Sequence, residues 1–465
     1  MSVPFRSEDI QGNILRGYRR DRVRHLILEV TDRTAARQFL AASEGDSNSD
    51  LPAVSREITW QSKPDVSLNI GLTFEGLRAL GTPSEHLETF PTEFAQGMTR
   101  RALKIGDFGV GAPENWPAPF DKPDKIHVIA SVYADAEPPM DQMQEQVERC
   151  FNLLGVREGR NLPEGKVFFG YRDGISQPRF KHILDPDTVM ADEPMDPLGT
   201  VLLGYKTRQD GVFYRVPSPE ALGFNGTFNA FRILAQDAAG FEAYLDQAAT
   251  ELLSHGAVNQ LVDPDNLQLI GPDLDLHGAL REVVAAQLCG RWRNGVPYEL
   301  SPHAQYPETE VSLTNFDYTQ HSRCPAGAHT RRGNPRGGPI VQRIANYSRR
   351  LIRRGMSYGP DFDPKNPDNQ ERGLLGNFIG ANIGAQFEAV MCDWINLGLQ
   401  DPTITGANDP ILGANAPETS WFDMTLPAGG SIRLRGLPRL IWARGGAYTF
   451  LPSHTAIKYL ARLTD

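Results

Sequence analysis

The sequence is short of cysteine and of long apolar runs, and it has no excess of positive charge. Its 465 residues include four cysteines, Cys150, Cys289, Cys324 and Cys392, which lie far apart without a Cys-x-x-Cys pair. This spacing argues against a disulfide framework or a zinc ribbon and favours a reducing compartment. The 47 Lys and Arg residues are outnumbered by 57 Asp and Glu residues, for a net charge of −10. We therefore expect neither a nucleic acid nor an acidic membrane as a partner.

Membrane spans and export signals are also missing. The stretch 373–387 is one of the longest without charge, but it includes four glycines, two asparagines and a glutamine. No segment provides the run of about 18 apolar residues that a membrane span needs. The N-terminal stretch 1–22 carries charges throughout, and Arg19-Arg20 lacks the apolar stretch that follows a twin-arginine pair in a signal. We expect a cytoplasmic protein with no transmembrane segment.

Strands and helices alternate in the first third of the chain. Apolar alternation predicts strands at 25–30, 67–73 and 125–133. Apolar residues three or four positions apart predict an amphipathic helix at 139–154. This order is typical of an α+β domain, which we place at residues 1–165.

The rest of the chain repeats this pattern on a larger scale. Asp237 is the predicted N-cap of a helix at 238–253. Further helices are predicted at 283–293 and 385–395. The predicted strands are 228–234, 374–381, 440–443 and 447–451. We therefore expect a second α+β domain at residues 166–465.

A first candidate site lies where Asp173 stands between Gly170 and Gly174, directly after an apolar segment. Glycines let the backbone approach a ligand closely, and a carboxylate presented from such a chain reversal can act as an acid or a base. An Asp-Gly turn without a function explains the same residues. Both interpretations stay open on this segment alone.

A second candidate site is centred on His329. Small residues precede it, so a flat ligand can approach its imidazole, and three arginines that follow can pair with carboxylates such as haem propionates. These arginines are Arg331, Arg332 and Arg336. The alternatives are a surface basic loop with a solvated histidine and, less favoured, a zinc site of His321, Cys324 and His329 that lacks a fourth ligand.

A third basic stretch places four arginines within six positions: Arg349, Arg350, Arg353 and Arg354. At helical spacing, Arg350 and Arg354 share one face, and the other two share the neighbouring face, so one pair can point at an anion or ligand. A solvated face is the usual explanation of such a run.

Together these segments resemble the dye-decolorising peroxidases, a family of haem peroxidases. Residues 170–174 fit the family's GxxDG signature, residues 324–336 are similar to its proximal-histidine segment CPxxAHxRxxNPR, and residues 353–359 resemble its RRGxxYG segment. Supporting similarities run nearly from end to end, at 9–15, 68–81, 106–116, 226–236, 290–292, 386–388 and 445–450. The resemblance is to the longer-chain subgroup.

The resemblance implies an α+β fold of two tandem ferredoxin-like domains, each an antiparallel sheet with helices. It implies one haem b per chain, bound mainly by the C-terminal domain. By position, His329 is the implied axial iron ligand, Asp173 the distal acid–base and Arg353 the distal arginine; the choice over Arg354 rests on the register of the RRGxxYG segment. Two arginines are the implied cofactor-binding residues, Arg336, which is the best candidate for a haem propionate, and Arg331.

The implied function is reduction of hydrogen peroxide coupled to one-electron oxidation of dyes, phenolics or other small reducing substrates through a ferryl intermediate. Asp173 would move a proton between the peroxide oxygens, and Arg353 would stabilise the departing hydroxide. A non-catalytic haem-binding or haem-transfer protein is the alternative, and it would need His329 but neither distal residue. A haem-thiolate oxygenase using Cys324 is more remote. The oligomeric state is not predicted.

Two positions depart from the family pattern. Gly384 stands where the family often has an acidic residue that orients the proximal imidazole, and the candidates for that role are Asn382, Glu388 or a backbone carbonyl. Gly376 stands on the distal side where many relatives have a phenylalanine, which predicts a roomier or rearranged pocket. A surface Tyr or Trp would relay electrons from bulky dyes, but the sequence singles none out.

Overall fold

The computed structural model describes most of the chain. The described residues are 5–43, 50–183, 195–209, 211–304, 312–319, 323–338 and 349–464. No helix among them is long and apolar enough to cross a membrane.

The first sheet is built from the N-terminal part of the chain. Its strands are β1 Arg22–Glu29, β2 Val66–Leu72, β3 Val128–Ala134 and β4 Asn152–Arg160. They are antiparallel and lie in the order β4-β1-β3-β2. The helices of this part are α1 Arg33–Ala42, α2 Phe74–Ala79, α3 Ser84–Leu87, α4 Thr92–Arg100 and α5 Glu137–Glu148.

The second sheet comes from the rest of the chain. The strands in this part of the chain are β5 Thr227–Gln236, β6 Ile352–Tyr358, β7 Gly373–Gly380, β8 Trp421–Thr425, β9 Ser431–Arg435 and β10 Ile441–Leu451. The order in the sheet is β10-β5-β7-β6, and β8 and β9 form a separate antiparallel pair.

The helices of the second part differ in type as well as in length. The α-helices are α6 Glu220–Gly223, α7 Ala238–Leu253, α8 Val258–Leu261, α9 Leu276–Cys289, α10 His329–Gly333 and α11 His454–Ala461. Two π-helical stretches follow β7, Ile383–Glu388 and Val390–Asn396. Short 3-10 turns along the whole chain are Ser7–Asp9, Ala102–Ile105, Gly109–Gly111, Pro113–Asn115, Pro123–Lys125, Pro163–Gly165, Leu198–Thr200, Pro264–Leu269 and Pro402–Ile404.

The two sheets have the same topology and close on each other. When the four strands of each sheet are counted in chain order, the fourth lies at one edge beside the first, followed by the third and then the second. This is the ferredoxin-like order. Leu72 of β2 pairs with Phe450 of β10, and Arg160 of β4 pairs with Ser357 of β6. An eight-stranded barrel results, and closure leaves these strand edges paired. The fold is therefore the implied α+β one, and the division at residue 165 stays a prediction.

A helical layer covers the second sheet on the side where the candidate site lies. Helix α7 has the predicted bounds, and the Asp237 carboxylate caps it by accepting from the Gly240 N–H at 2.7 Å. Apolar residues of α7 and α9, among them Phe241 and Val284, pack with Leu234 of β5 in one buried cluster. Both sheet and helices thus present apolar side chains to the space between them.

Three predicted boundaries were wrong. The helix predicted at 139–154 ends at Glu148, because the following apolar residues pair with β1 as part of β4. The helix predicted at 283–293 is α9, which begins after the Asp275 cap and ends at Cys289, because Gly290 follows with a φ of 86°. The two C-terminal strands are the single strand β10, whose register shifts between Ala443 and Gly445.

Candidate active site

A cavity of about 310 Å³ lies between the second sheet, α9, α10 and the π-helical stretches. Its lining includes the three residues for which the family resemblance implies iron ligation or catalysis: His329, Asp173 and Arg353. They come from α10, from the loop after β4 and from β6. The fold therefore brings together residues that are far apart in the sequence.

His329 is the first residue of α10. The small residues before it are packed tightly, since Ala328 is fully buried and a Cβ on Gly327 would lie 3.2 Å from the Phe422 ring. The His329 side chain keeps about a third of its surface exposed (34%), and it lines the cavity. Its Nδ1 lies 3.0 Å from Oδ2 of Asp409. The other ring nitrogen, Nε2, is thereby left for a group in the cavity.

Asp409 is the residue that orients the imidazole of His329. Its side chain is fully buried, and the backbone N–H groups of Ile411 and Leu412 donate to its Oδ1 at 2.9 and 2.8 Å. Burial alone would raise the pKa of Asp409, but His329 and the Arg332 guanidinium more than offset this and lower it. Burial likewise opposes a charge on His329, and the Asp409 carboxylate outweighs it, so the pKa of His329 is raised. An ionised carboxylate at Nδ1 fixes the proton there.

The sequence predicts Asn382, Glu388 or a backbone carbonyl for this orienting role, and this prediction was wrong. The Asn382 side chain accepts from the Ala385 N–H at 2.8 Å and caps the first π-helical stretch. Glu388 is buried in an ion pair with Arg101 and accepts from the Tyr448 hydroxyl at 3.0 Å. Neither contacts His329, because the orienting carboxylate comes from the loop after the π-helices instead.

Asp173 is presented by the turn that the sequence singled out. Gly170 and Gly174 on either side of it have φ values of 79° and 74°, a conformation that glycine adopts at little cost. The Asp173 N–H donates to the Gly165 carbonyl at 2.9 Å, which closes the turn. The side chain is exposed and lines the cavity together with His329. The turn therefore presents a carboxylate to the cavity.

Arg353 and Arg354 point to opposite faces because β6 is a strand. The helical spacing considered for this stretch was wrong, since β6 pairs along its length with β7. Arg353 lines the cavity, and its Nη2 donates to the Ser176 carbonyl at 2.8 Å. Arg354 instead donates from Nε to the Asn13 carbonyl at 2.8 Å and from Nη2 to the next two carbonyls at 3.2 Å. Arg353 is thus the arginine on the cavity.

Gln177 ties the Asp173 turn to β6. Its Nε2 donates to the Arg353 carbonyl at 3.0 Å, and its Oε1 accepts from the Arg353 N–H at the same distance. This pair of bonds resembles one step of a strand ladder and holds the Asp173 turn beside Arg353 on one wall of the cavity. The sequence reasoning did not identify this residue.

The two predicted cofactor-binding arginines differ in position. Arg336 lines the cavity, with its guanidinium 4.3 Å from the centre of the Phe316 ring and its Nη2 3.4 Å from the Ser176 hydroxyl. Arg331 is not among the cavity-lining residues: it stacks 4.6 Å from the Tyr318 ring. Only Arg336 is placed to meet a group in the cavity.

The remaining walls are largely apolar. Their apolar side chains include Leu234, Leu374, Phe378, Phe387, Met391 and Ile411. A Cβ on Gly376 would lie 2.6 Å from the Phe378 ring, so that ring occupies the space beside the glycine. Phe378, two positions after this glycine on β7, lines the cavity, and the expectation of a roomier or rearranged pocket stays a prediction. Trp292 and Trp394 are buried.

The thiol and zinc alternatives gain no support. Cys324 is fully buried and does not line the cavity, and burial raises the pKa of its thiol to about 12. A thiolate ligand from this residue is thus disfavoured. His321 lies outside the described residues, and within the described ranges no group of three or more His, Cys, Asp or Glu side chains is placed to hold a metal ion.

The lining fits an iron porphyrin. Nε2 of His329 faces the cavity, and no hydrogen bond to it is found among the described residues. Apolar walls suit the flat ring, and guanidinium groups suit its propionates. Besides Arg353 and Arg336, the lining includes Arg172, Arg291, Arg349 and Arg350. A single imidazole with a fixed Nδ1 proton is an appropriate axial ligand.

Comparison with known proteins gives a consistent result. Residues 9–155 match the family model described as the DyP dimeric alpha+beta barrel domain. A dye-decolorizing peroxidase of Auricularia auricula-judae is 25% identical, over 98% of this chain and 87% of the relative. The multifunctional dye peroxidase of an Amycolatopsis strain is 27% identical, over 97% and 95%. A solved dye-decolorizing peroxidase in complex with 2,6-dimethoxyphenol is 26% identical, with a TM-score of 0.78 over 98% of this chain and all of that one.

These likenesses extend over nearly the whole chain, and the match at 9–155 covers β1 to β3 and the start of β4. The shared fold includes the second sheet, which carries the cavity. The chain is therefore similar to dye-decolorising peroxidases over nearly its whole length, and its residues 9–155 match the barrel domain of that family.

Proposed function

We propose that the protein reduces hydrogen peroxide at one haem b per chain, with His329 as the axial iron ligand, and oxidises small reducing substrates one electron at a time. The observation that carries this proposal is the convergence of His329, Asp173 and Arg353 on one cavity. Haem iron would supply the redox chemistry when bound. The protein supplies the ligand, the proton transfers and the charge stabilisation.

The distal side chains have separate roles in this proposal. A carboxylate oxygen of Asp173 accepts a proton from one peroxide oxygen and returns it to the other, so that water can leave. The Arg353 guanidinium stabilises the negative charge that develops on the leaving oxygen. Its bond to the Ser176 carbonyl holds the guanidinium against the turn that presents Asp173. Both groups are placed before peroxide arrives, which lowers the cost of reorganisation.

On the cofactor side, Arg336 is the proposed partner of a haem propionate, since it lines the cavity on the segment that follows His329. Arg331 is left without a contact to the group, because its guanidinium lies over Tyr318. Asp409 keeps Nδ1 of His329 as a donor, so Nε2 is free to bind iron.

A catalytic function is supported over haem storage or transfer. A carrier needs an axial ligand, but it does not need a carboxylate and a guanidinium on the same cavity, and this cavity has both. The relatives that match along the whole chain are named as peroxidases. Phenols such as 2,6-dimethoxyphenol, which a solved relative binds, are suitable probe substrates. We propose a cytoplasmic location, which the free thiols of all four cysteines support.

The test compares haem content and turnover in matched variants. Haem-loaded parental protein should oxidise 2,6-dimethoxyphenol with peroxide, and Asp173→Asn should keep haem but lose about 10²-fold to 10⁴-fold in turnover. Asp361→Asn is the control, since Asp361 is exposed and pairs with Arg160 outside the cavity. His329→Ala should lose or weaken haem binding. Parental turnover in Asp173→Asn would contradict the proposed role of Asp173, and unchanged haem binding in His329→Ala would contradict the axial role.

A further inference from the structure

Arg332 is a buried arginine that none of the roles above uses. It lies three residues after His329 on α10, and it is only 1% exposed. A guanidinium in such a place is costly unless its charge and its N–H groups are compensated. Within the described ranges no carboxylate forms an ion pair with it. The compensation comes instead from backbone carbonyl groups.

Those carbonyls belong to the three segments that frame the proximal side. Nε of Arg332 donates to the Gly327 carbonyl at 3.0 Å, in the segment that leads into His329. Nη1 donates to the Trp394 carbonyl at 3.0 Å, in the second π-helical stretch, and to the Ala407 carbonyl at 2.9 Å, two residues before Asp409. One rigid, planar group thus joins the ligand segment to the loop that carries its carboxylate partner.

Further hydrogen bonds hold the loop that carries Asp409, and neither of the following two connects it to α10. The Asp409 N–H donates to the Ile395 carbonyl at 2.7 Å, and Asn415 Nδ2 donates to the Asp409 carbonyl at 2.7 Å. These bonds attach the loop to the π-helical stretch and to itself, but not to α10. Between α10 and this loop, the described hydrogen bonds are those from Arg332 and the one between His329 and Asp409. Arg332 also favours the ionised form of Asp409 through its charge.

We propose that Arg332 is a positioning residue that sets the hydrogen bond between Asp409 and His329, and through it the electron donation of the imidazole to iron. The proposal rests on the proposed role of His329 as the axial ligand. A carboxylate held at Nδ1 gives the imidazole more anionic character, which strengthens the bond from Nε2 to the metal and favours ferric over ferrous iron. Without the Arg332 junction, Asp409 keeps its bonds to the π-helical stretch and to its own loop, but the loop loses its bond to α10 through Ala407.

The test uses the haem-loaded protein and two measurements. If Arg332 had only a structural role, the two measured values would not shift together. These are the iron–histidine stretching frequency of the ferrous form, from resonance Raman spectra, and the ferric/ferrous midpoint potential. Arg332→Met should lower the stretching frequency and raise the potential, in the same directions as Asp409→Asn. Arg332→Lys keeps the charge but has one nitrogen in place of the planar fork, so its values should lie between those of the parent and Arg332→Met.

The double variant makes the test specific. In the Asp409→Asn background, Arg332→Met should cause no further shift in the stretching frequency or the midpoint potential. The hydrogen bond between Asp409 and His329 that Arg332 positions has already been weakened there. Arg20→Met is the control for loss of a buried guanidinium, since Arg20 is 3% exposed and does not line the cavity. It should leave both readouts at parental values.

An unchanged frequency and potential in Arg332→Met, or a full shift that persists in the Asp409→Asn background, would overturn the proposal. If Arg332→Met does not fold or take up haem, Arg332→Lys and its double variant with Asp409→Asn decide by the same criteria. A parental protein whose spectrum lacks an iron–histidine band would instead contradict the proposed function. The two failures are therefore distinguishable.

Discussion

Neighbouring arginines on β6 should have opposite functional consequences when they are replaced. Arg353 lines the cavity, whereas Arg354 is half-buried against the N-terminal segment. Removing a preorganised positive group from the site of developing charge typically costs about 10²-fold to 10³-fold in rate. We expect Arg353→Leu to slow the reaction with peroxide by about this factor, with little change in thermal stability.

Arg354→Leu should instead affect stability. It removes three hydrogen bonds from a guanidinium to the carbonyls of Asn13, Ile14 and Leu15. Bonds of this kind contribute about 1.5–3 kcal/mol each at most, and water replaces part of them at a half-buried site, so we expect a loss of about 2–4 kcal/mol. With an unfolding entropy of about 2.1 cal/mol/K for each of the 465 residues, 1 kcal/mol shifts the melting temperature by about 1 °C. The expected decrease is thus about 2–4 °C.

Stopped-flow absorbance and calorimetry on the two haem-loaded variants measure these effects, and each variant serves as the control for the other. The account predicts a slow reaction with parental melting for Arg353→Leu, and parental kinetics with lowered melting for Arg354→Leu. A slow peroxide reaction in Arg354→Leu together with a parental rate in Arg353→Leu would show that the assignment of the two faces of β6 is wrong.

Three further predictions follow from individual contacts. Burial lowers the pKa of His25 to about 3, so the unfolded chain binds a proton at higher pH than the folded one. The free energy of unfolding should therefore fall by up to about 1.4 kcal/mol per pH unit as the pH decreases below about 6.5. Denaturant titrations of His25→Gln should show a smaller fall. Cys324→Ser should leave the carbon monoxide difference spectrum of the reduced protein unchanged, since the thiol is buried away from the cavity; a changed spectrum would support thiolate ligation. Gly376→Ala places a Cβ against the Phe378 ring and should cost about 1–3 kcal/mol in thermal unfolding, a loss that the additional change Phe378→Ala should reduce.

The placement of the Asp173 turn and of His329 on the cavity could be predicted because each is a local pattern. Asp173 depends on flanking glycines with positive φ, and His329 on small neighbours, so a few adjacent residues carry the information. Helix α7 was predictable for the same reason, since its cap and its apolar residues are contiguous. Such features depend little on the rest of the fold.

Features that depend on distant pairing were missed. Asp409 meets His329 only because the π-helical stretches and the following loop fold back over α10, and no spacing in the sequence encodes that approach. The arginines of β6 were considered at helical spacing, but pairing with β7 makes the segment a strand and separates Arg353 from Arg354. Arg331 has the same local surroundings as Arg332, and only tertiary packing shows that one lies on Tyr318 and the other beneath the Asp409 loop.

We expect His329, Asp173 and Arg353 to form one peroxide-reducing site on a haem. The most direct test is a stopped-flow absorbance experiment in which haem-loaded protein is mixed with one equivalent of hydrogen peroxide and then with a reducing phenol. The account predicts rapid loss of the ferric Soret band and its return when the phenol is added, with both changes slowed in Asp173→Asn. Haem that binds but whose spectrum barely responds to peroxide would contradict the claim and favour a haem-binding or haem-transfer protein.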